Sequence, residues 1–158
     1  MGVLLTAFAA GPLQANCYFV AADAGSECAI VDPGMDSFDG VKAVVAEHDL
    51  KPAAVLITHG HFDHMWDAAR VADEFGCPLW IHPADRHLLA DPMAAISGES
   101  AAMLRQQIGD IDQSQFAEPS QVEDAVDGAQ IKVGELTISV DHCPGHTPGT
   151  VAYRVDYT

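Results

Sequence analysis

The motif THGHFDH at residues 58–64 constrains this chain most, because it places four good metal ligands within six consecutive positions. Side chains at positions i and i+2 lie on the same side of an extended segment, so His59 and His61 can both reach one metal ion. On a helix the same spacing would direct the two rings apart. The alternative is a solvated polar loop. However, in a chain with eight His in 158 residues, three histidines at fixed offsets arise by chance at a given start only about 10⁻⁴ of the time. The motif therefore predicts a metal site in a turn.

The segments on either side of the motif predict where this turn lies. The apolar run at residues 53–57 predicts a buried strand, and from Met65 onward the apolar residues recur at helical spacing. Gly76 is a suitable C-cap for that helix. The ligands are therefore expected at the carboxyl end of a strand, which is where open α/β sheets place their sites.

The rest of the chain predicts a mixed α/β fold. Its 158 residues match the length of one domain with a real core. A short helix is expected to begin at residues 82–85, and residues 91–127 are polar and acidic. Further strands are expected at residues 3–8, 16–21, 28–31, 78–81 and 150–155, with a hairpin at 130–140 and helices at 37–50 and 101–108.

Three more motifs extend the pattern, namely NCY at residues 16–18, VDPG at residues 31–34 and PGHTPG at residues 144–149. Together with HxHxDH, and in this order, they resemble the metallo-β-lactamase fold superfamily. Within it the chain is most similar to hydroxyacylglutathione hydrolase (the second glyoxalase) and its shorter bacterial relatives. The resemblance implies a single α/β domain over residues 1–158, with the four-layer αββα sandwich of the metallo-β-lactamase type.

The resemblance also implies the ligands. His59, His61 and His146 would hold one metal ion, and Asp63 and His64 would begin a second metal site. Asp63 is in addition the implied catalytic residue, which orients the attacking water and accepts its proton. Three His ligands leave a fourth tetrahedral position for water, as in catalytic zinc sites, and bound water has a pKa of about 7. We therefore expect one or two Zn²⁺ ions, with Fe or Mn as alternatives, and attack of a metal-bound hydroxide on a carbonyl.

The substrate expected from the resemblance is a small molecule, a thioester of the hydroxyacylglutathione type, which would be cleaved to an acid and a thiol. Other members of the family hydrolyse lactones, β-lactams or phosphodiesters, and one branch oxidises persulfides with iron. An inactive metal-binding module is the alternative from a different functional class. The motifs are highly specific for the fold and for metal binding, but they are poorly specific for the substrate.

The chain departs from the family pattern after its third histidine ligand. The second metal site needs a bridging Asp from a later Gly-Asp motif and one more His, and neither follows His146 before Thr158. We therefore expect that the C-terminal portion of the sandwich is lacking and that at most one metal binds tightly. The 158-residue chain alone is expected to be weakly active or inactive. Its uncovered sheet would favour self-association into a homo-oligomer.

Charge and hydropathy limit the expected partners. The formal net charge is −16, with only seven Lys and Arg. Such a surface repels phosphate backbones, so nucleic acid is not expected as a partner. No apolar run approaches the ~20 residues of a membrane span, and no basic residue precedes Lys42 to form a signal peptide. We therefore expect no membrane association and a cytoplasmic location, with four reduced and mostly buried cysteines. For Cys143 we expect burial by packing, with a place near the metal site as the alternative.

Asp32 and the remaining histidines carry weaker signals. Asp32 either orients the metal loop by hydrogen bonding, as the resemblance implies, or caps backbone N–H groups of its own turn. His142 is expected to be a residue at a strand end and not a ligand. Surface or capping positions are expected for His48, His82 and His87.

Overall fold

Two β-sheets form the framework of the protein. Its computed structural model describes residues 2–109, 112 and 116–156. The strands are β1 (Leu4–Ala10), β2 (Ala15–Ala21), β3 (Glu27–Val31), β4 (Lys51–Leu56), β5 (Leu79–Ile81), β6 (Val122–Asp124), β7 (Gln130–Val133), β8 (Leu136–His142) and β9 (Val151–Asp156). The large sheet has the order β1-β2-β3-β4-β5-β6, antiparallel from β1 to β3 and parallel from β3 to β6. The small sheet is antiparallel, in the order β7-β8-β9.

The helices lie mainly against one face of the large sheet. They are α1 (Phe38–Glu47), α2 (Phe62–Met65), α3 (Ala68–Phe75) and α4 (Gly98–Ile108), with 3₁₀ helices at Arg86–Leu89 and Pro92–Ala95. Helices α1 and α3 share a core with this face, and the opposite face shares a second core with the small sheet. The predicted sandwich is thus represented by one helical layer and both of its sheets.

The central strand β4 explains the apolar run before the motif. Val55 packs into the core on the helix side, whereas Ala54 and Leu56 pack into the core between the two sheets. All three side chains are buried. A parallel strand that is covered on both faces must be apolar at successive positions, so this run follows from its place in the fold. Its carboxyl end leads directly into the histidine motif.

The helix predicted after the motif is interrupted between α2 and α3. The Oδ2 atom of Asp67 accepts a hydrogen bond from the N–H of Phe38 at 3.0 Å, and the N–H of Asp67 donates to the Pro33 carbonyl at 3.1 Å. These two hydrogen bonds connect the residue between α2 and α3 to the VDPG turn and to the start of α1. Local periodicity cannot predict the interruption, because both partners are distant in sequence. Helix α3 then ends as predicted, with Gly76 in the left-handed conformation at φ 64°.

Several element boundaries also differ from the prediction. Strand β6 was not predicted, because it is short and lies in a polar segment, and it forms only by pairing with β5. The helix expected from residues 82–85 is a 3₁₀ helix that begins at Arg86. Within the described ranges, no helix combines the length and the apolar character that crossing a membrane requires.

The four cysteines are free thiols, of which three are buried and Cys143 is exposed. Burial raises the pKa of Cys28 to about 12 and that of Cys77 to about 11, and it raises the pKa of Cys17 far above its usual range. The prediction that packing buries Cys143 is wrong. This residue lies in the loop between β8 and β9, where its N–H donates to the Thr150 carbonyl at 2.9 Å and its side chain is left in solvent.

We expect one thiol per native chain to react rapidly with a disulfide reagent at about pH 8, and all four to react after unfolding. The thiolate is the reactive form, and a buried thiol with a raised pKa is neither ionised nor accessible. The absorbance of the released reagent measures both reactions. Cys143→Ser should abolish the rapid reaction, whereas Cys77→Ser should preserve it. Rapid modification of two or more thiols in the native protein would contradict the burial of Cys17, Cys28 and Cys77.

Candidate metal centre

Three histidines from two loops converge at the carboxyl end of β4. His59 and His61 follow β4, and His146 lies in the loop between β8 and β9. Each offers a ring nitrogen, and these nitrogens lie within 4.8 Å of one another. The ring centroids are 4.9 Å apart for His59 and His61, 4.8 Å for His59 and His146, and 4.5 Å for His61 and His146. His59 is buried, His61 half-buried and His146 exposed, so the cluster opens to solvent on the His146 side.

Backbone hydrogen bonds join the motif to both sheets. The N–H of Ile57 donates to the Trp80 carbonyl at 2.9 Å and continues the pairing between β4 and β5. The N–H of Val151 donates to the Thr58 carbonyl at 2.8 Å, which attaches the start of β9 to the motif itself. His61 is extended, with φ −76° and ψ 139°, and immediately precedes α2. The chain is therefore still extended at the second ligand position, as the spacing of the motif requires.

Asp32 orients the motif and does not merely cap its own turn. Its Oδ1 atom accepts a hydrogen bond from the N–H of Thr58 at 2.8 Å, and its Oδ2 atom accepts one from the Thr58 hydroxyl at 2.6 Å. The same Oδ2 lies 3.1 Å from Nδ1 of His64. Asp32 has a left-handed backbone at φ 54°, a conformation that Asp adopts more readily than most residues. The orienting interpretation of Asp32 is thus the one that its contacts support.

The hydrogen bonds of Thr58 fix the tautomer of His59. The single hydroxyl proton of Thr58 goes to Asp32, so this hydroxyl accepts a hydrogen bond from Nδ1 of His59, which lies 2.9 Å away. The lone pair of His59 is then on Nε2, which is buried and has no hydrogen-bond partner in the part of the chain that the structure describes. A buried polar atom without a partner costs about 1–3 kcal/mol. A metal ion would satisfy this nitrogen, so the residues fit a metal.

The protonation states of the cluster also suit a metal. Burial lowers the pKa of His59 to about 4, with a further contribution from His64. Burial also lowers the pKa of His61, and the neighbouring His146 adds to this effect. Both rings are therefore neutral at pH values near 7, and neutral imidazole is the form that binds metal.

Asp63 and His64 lie beside the three-histidine cluster. The Oδ2 atom of Asp63 is 3.5 Å from Nε2 of His64, yet Asp63 belongs to neither group of three candidate ligands found among the described residues. His64 instead groups with Asp32 and His59. The hydrogen bond to Asp32 raises the pKa of His64, which favours a protonated ring at this position. The structure therefore brings together His59, His61 and His146 as one group, places the ring of His64 with its centroid 4.3 Å from that of His59 in a second group, and leaves Asp63 outside both.

The glycine of the VDPG motif allows α2 to approach this turn. A Cβ atom on Gly34 would overlap the carbonyl oxygen of Asp63 and lie 3.3 Å from Cα of His64. The same carbonyl accepts a hydrogen bond from the N–H of Met35 at 3.4 Å. The VDPG motif and the THGHFDH motif thus pack directly against each other.

Asp85 is a buried polar residue of the site that the sequence analysis did not single out. It lies immediately before the 3₁₀ helix at Arg86–Leu89 and is fully buried. Its carboxylate accepts hydrogen bonds from the N–H of Gly60 at 2.8 Å, the N–H of Gly149 at 2.9 Å and the hydroxyl of Thr147 at 2.5 Å. These donors belong to both ligand loops. A lone Asp at a helix start carries no sequence signal for such a role.

A cavity of about 320 Å³ opens beside the cluster. The described residues that line it include no Lys or Arg, and their polar groups are those of His61, Asp63 and two serines. The lining residues are His61, Phe62, Asp63, Ala95, Ile96, Ser97, Ser100 and Leu104. A larger cavity of about 840 Å³, which includes Lys51 and Glu135, contains none of the motif residues and lies away from this chemistry.

The remaining histidines do not join the cluster. The rings of His82 and His142 stack with centroids 4.0 Å apart and an interplanar angle of 14°. Nδ1 of His82 accepts a hydrogen bond from the N–H of Ala84 at 3.0 Å, the capping role expected of it, and Nε2 of His142 lies 2.9 Å from the Pro148 carbonyl. In the described ranges, neither group of three candidate ligands includes His48, His82, His87 or His142.

Comparison with known proteins establishes the family. A sequence model of the Metallo-beta-lactamase superfamily matches residues 10–158. The chain belongs to the metallo-beta-lactamase superfamily. The predicted mixed α/β fold of the metallo-β-lactamase type is therefore confirmed.

Relatives of this metallo-beta-lactamase superfamily chain extend the comparison. An uncharacterized protein of Mycobacterium leprae (strain TN) is 43% identical over 154 residues, which cover 97% of this chain and 67% of that protein. A hydroxyacylglutathione hydrolase of Anaeromyxobacter dehalogenans (strain 2CP-C) is 31% identical over 128 residues, which cover 81% of this chain and 38% of that protein. The chain thus spans about two thirds of the length of its mycobacterial relatives.

Solved structures of the superfamily show the same architecture. The crystal structure of the B3 metallo-beta-lactamase BLEG-1 matches with a TM-score of 0.73 and 31% identity, covering 95% of this chain and 66% of that one. The crystal structure of TTHA1623 in a di-iron-bound form matches with a TM-score of 0.70 and 28% identity, covering 94% of this chain and 66% of that one.

Proposed function

We propose that this superfamily member is a metal-dependent hydrolase in which His59, His61 and His146 hold the metal ion. The observation that carries the proposal is the convergence of three imidazoles on one point, with the buried Nε2 of His59 lacking a protein partner in the described ranges. Imidazole ligands suit zinc and iron. We propose Zn²⁺ as the metal, with Fe or Mn as alternatives, and the di-iron form of TTHA1623 supports including iron. When bound, the metal supplies a Lewis acid and an activated water.

Asp63 is proposed as the catalytic base of this site. It lies in the first turn of α2 and lines the same cavity as His61. A carboxylate at this position can orient a water molecule that enters the cavity and can accept its proton. Because Asp63 lies outside the three-histidine group, this role does not require it to hold the first metal.

The proposed substrate is a thioester of the hydroxyacylglutathione type. The relative from Anaeromyxobacter dehalogenans that is named hydroxyacylglutathione hydrolase supports this class. The cavity beside His61 offers apolar side chains and the hydroxyls of Ser97 and Ser100, which suit a short, uncharged acyl group bearing a hydroxyl. Hydrolysis of a β-lactam is the second candidate, favoured by the likeness to the B3 metallo-beta-lactamase BLEG-1.

A substrate panel tests the proposal. The protein is loaded separately with zinc, iron and manganese, and turnover is measured on an S-hydroxyacylglutathione, an uncharged thioester with the same acyl group, a lactone, a β-lactam and a phosphodiester. We expect a kcat/KM for the thioesters at least about tenfold above that for the other substrates. Turnover of the β-lactam alone would assign the second candidate. Full metal content without any turnover, both in the 158-residue chain and in a full-length enzyme that contains it, would favour an inactive metal-binding module.

In a full-length enzyme that contains this chain, Asp63→Asn is expected to lower kcat by about 10²-fold or more, because a general base contributes about 10²–10⁴-fold and the amide cannot accept the proton. The metal content should stay at the wild-type level, since the three-histidine group does not include Asp63. Steady-state kinetics and elemental analysis on the same sample measure both effects. Asp39→Asn, an exposed position in the first turn of α1, is the matched control. Wild-type kcat in the Asp63 variant would refute the role.

A further inference from the structure

We propose that Asp85 is a positioning residue that holds the two ligand loops at the distance a single metal requires; the inference rests on the metal site of the proposed function. The two loops come from different sheets, one after β4 and one between β8 and β9. Asp85 belongs to neither loop, since it follows β5 and precedes a 3₁₀ helix. It is therefore a third element that contacts both.

The hydrogen bonds of Asp85 divide between the loops. On the side of the motif, its Oδ2 atom accepts the N–H of Gly60, the residue between the first two ligands. On the side of His146, Oδ2 accepts the hydroxyl of Thr147, the residue that follows this ligand, and Oδ1 accepts the N–H of Gly149. One carboxylate thus contacts a residue directly next to each of the three histidines, through the backbone of Gly60 and the side chain of Thr147.

The backbone of Asp85 is itself held rigidly. Its N–H donates to the His82 carbonyl at 2.9 Å, and its carbonyl accepts the N–H of Leu88 at 2.9 Å. A Cβ atom on Gly149 would lie 2.6 Å from Cγ of Asp85, and one on Gly60 would lie 3.2 Å from its Cβ. Both loops therefore approach Asp85 through a glycine, which larger residues would prevent. The close packing indicates a specific contact between Asp85 and the two ligand loops.

The contact has a physical consequence for metal binding. A carboxylate that is fully buried is stable only while its oxygens accept hydrogen bonds, and here it accepts three. In Asp85→Asn, the new NH₂ group faces an N–H or an O–H donor in either orientation of the amide. At least one donor is then left unpaired, which weakens the bridge between the two loops. Partners that orient metal ligands in this way typically change metal affinity by about 10- to 100-fold.

Two sets of variants test the role in the 158-residue protein. We expect Asp85→Asn to weaken Zn²⁺ affinity, measured by competition with a chelating dye, by about 10- to 100-fold. Thr147→Val, which removes the hydroxyl, should weaken it in the same direction, whereas Thr147→Ser, which keeps the hydroxyl, should stay near wild type. Asp127→Asn is the matched control, because this exposed carboxylate also accepts a backbone N–H, that of His142, but touches neither Gly60 nor Thr147.

Hydrogen exchange provides a readout without metal or activity. The amides of Gly60 and Gly149 donate to different oxygens of Asp85, so in the metal-free Asp85→Asn protein the one that then faces the NH₂ group should exchange about tenfold faster. If Asp85→Asn does not fold, the comparison of Thr147→Val with Thr147→Ser decides. Wild-type Zn²⁺ affinity in both Asp85→Asn and Thr147→Val would overturn the inference. Weakened Zn²⁺ affinity in these variants, together with no turnover of any substrate by the metal-loaded wild-type protein, would count against the hydrolase alone, and absence of Zn²⁺ binding in the wild-type chain would overturn both.

Discussion

Replacing His59, His61 or His146 with alanine is expected to remove the tightly bound metal from the folded protein. Protein zinc sites with four ligands gain about 10–16 kcal/mol, so each ligand contributes about 3–4 kcal/mol, which corresponds to a loss of affinity on the order of 10²–10³-fold. Each variant leaves two imidazoles of the cluster, which are too few to hold an ion firmly. Elemental analysis after gel filtration and dye competition measure the loss.

The control for this prediction is a histidine outside the cluster. His87 is exposed and belongs to neither group of three candidate ligands among the described residues, so His87→Ala should keep the metal of the wild-type protein. Circular dichroism of each variant separates loss of metal from loss of fold. Unchanged metal content in all three cluster variants would show that the proposed site is not the one that binds the ion.

The local part of the site could be predicted because its signal is local. His59 and His61 are two positions apart on an extended chain, and their geometry follows from backbone periodicity alone. His146 lies far along the sequence, so no periodicity links it to the motif, and only the family resemblance of the PGHTPG segment predicts it. The structure places its ring 4.5 Å from that of His61. Resemblance thus supplied what spacing could not.

The parts that could not be predicted depend on contacts between distant segments. Asp85 is 62 positions from Thr147, and its burial arises only when the sheets pack. At Asp67, where the predicted helix is interrupted, the carboxylate accepts the N–H of Phe38 at the start of α1, 29 positions away. The exposure of Cys143 likewise depends on how its loop leaves β8. A single polar residue carries no pattern, so its partners become visible only in the folded chain.

An apolar surface at the junction of the two sheets is open to solvent. An apolar cavity of about 280 Å³ opens there, lined by residues of both sheets that include Leu5, Tyr18, Ile138 and Tyr153. Leu5 is 65% exposed and Tyr18 40% exposed, although both lie on strands of the large sheet. In the described ranges, β9 pairs only with β8 and leaves an open edge. Open edges and exposed apolar faces favour association with further strands.

We expect that fusing to the chain, after Asp156, the residues that follow the matched part of the Mycobacterium leprae relative will raise thioester turnover by about 10²-fold or more, because a general base and a complete ligand set act together. The relative is 43% identical over 154 residues, which cover 67% of it, so the added residues would join a framework similar to the one that they accompany in the relative. Added strands would cover the open edge of β9. They would also bring further ligands to Asp63 and His64, which alone are too few for a second metal.

The fusion is compared with the 158-residue chain by metal analysis, kinetics and analytical ultracentrifugation. The unextended chain is expected to bind at most one metal, to turn over thioesters weakly and to dimerise through its open sheet, whereas the fusion should bind two metals as a monomer. A Leu5→Lys variant of the unextended chain supplies the control, because a charge on this exposed position should weaken the dimer without touching the histidine cluster. If the unextended chain is a monomer that binds two metals and turns over thioesters as fast as the fusion, the open sheet is not what limits its activity, and Asp63 and His64 complete a second site from residues already present.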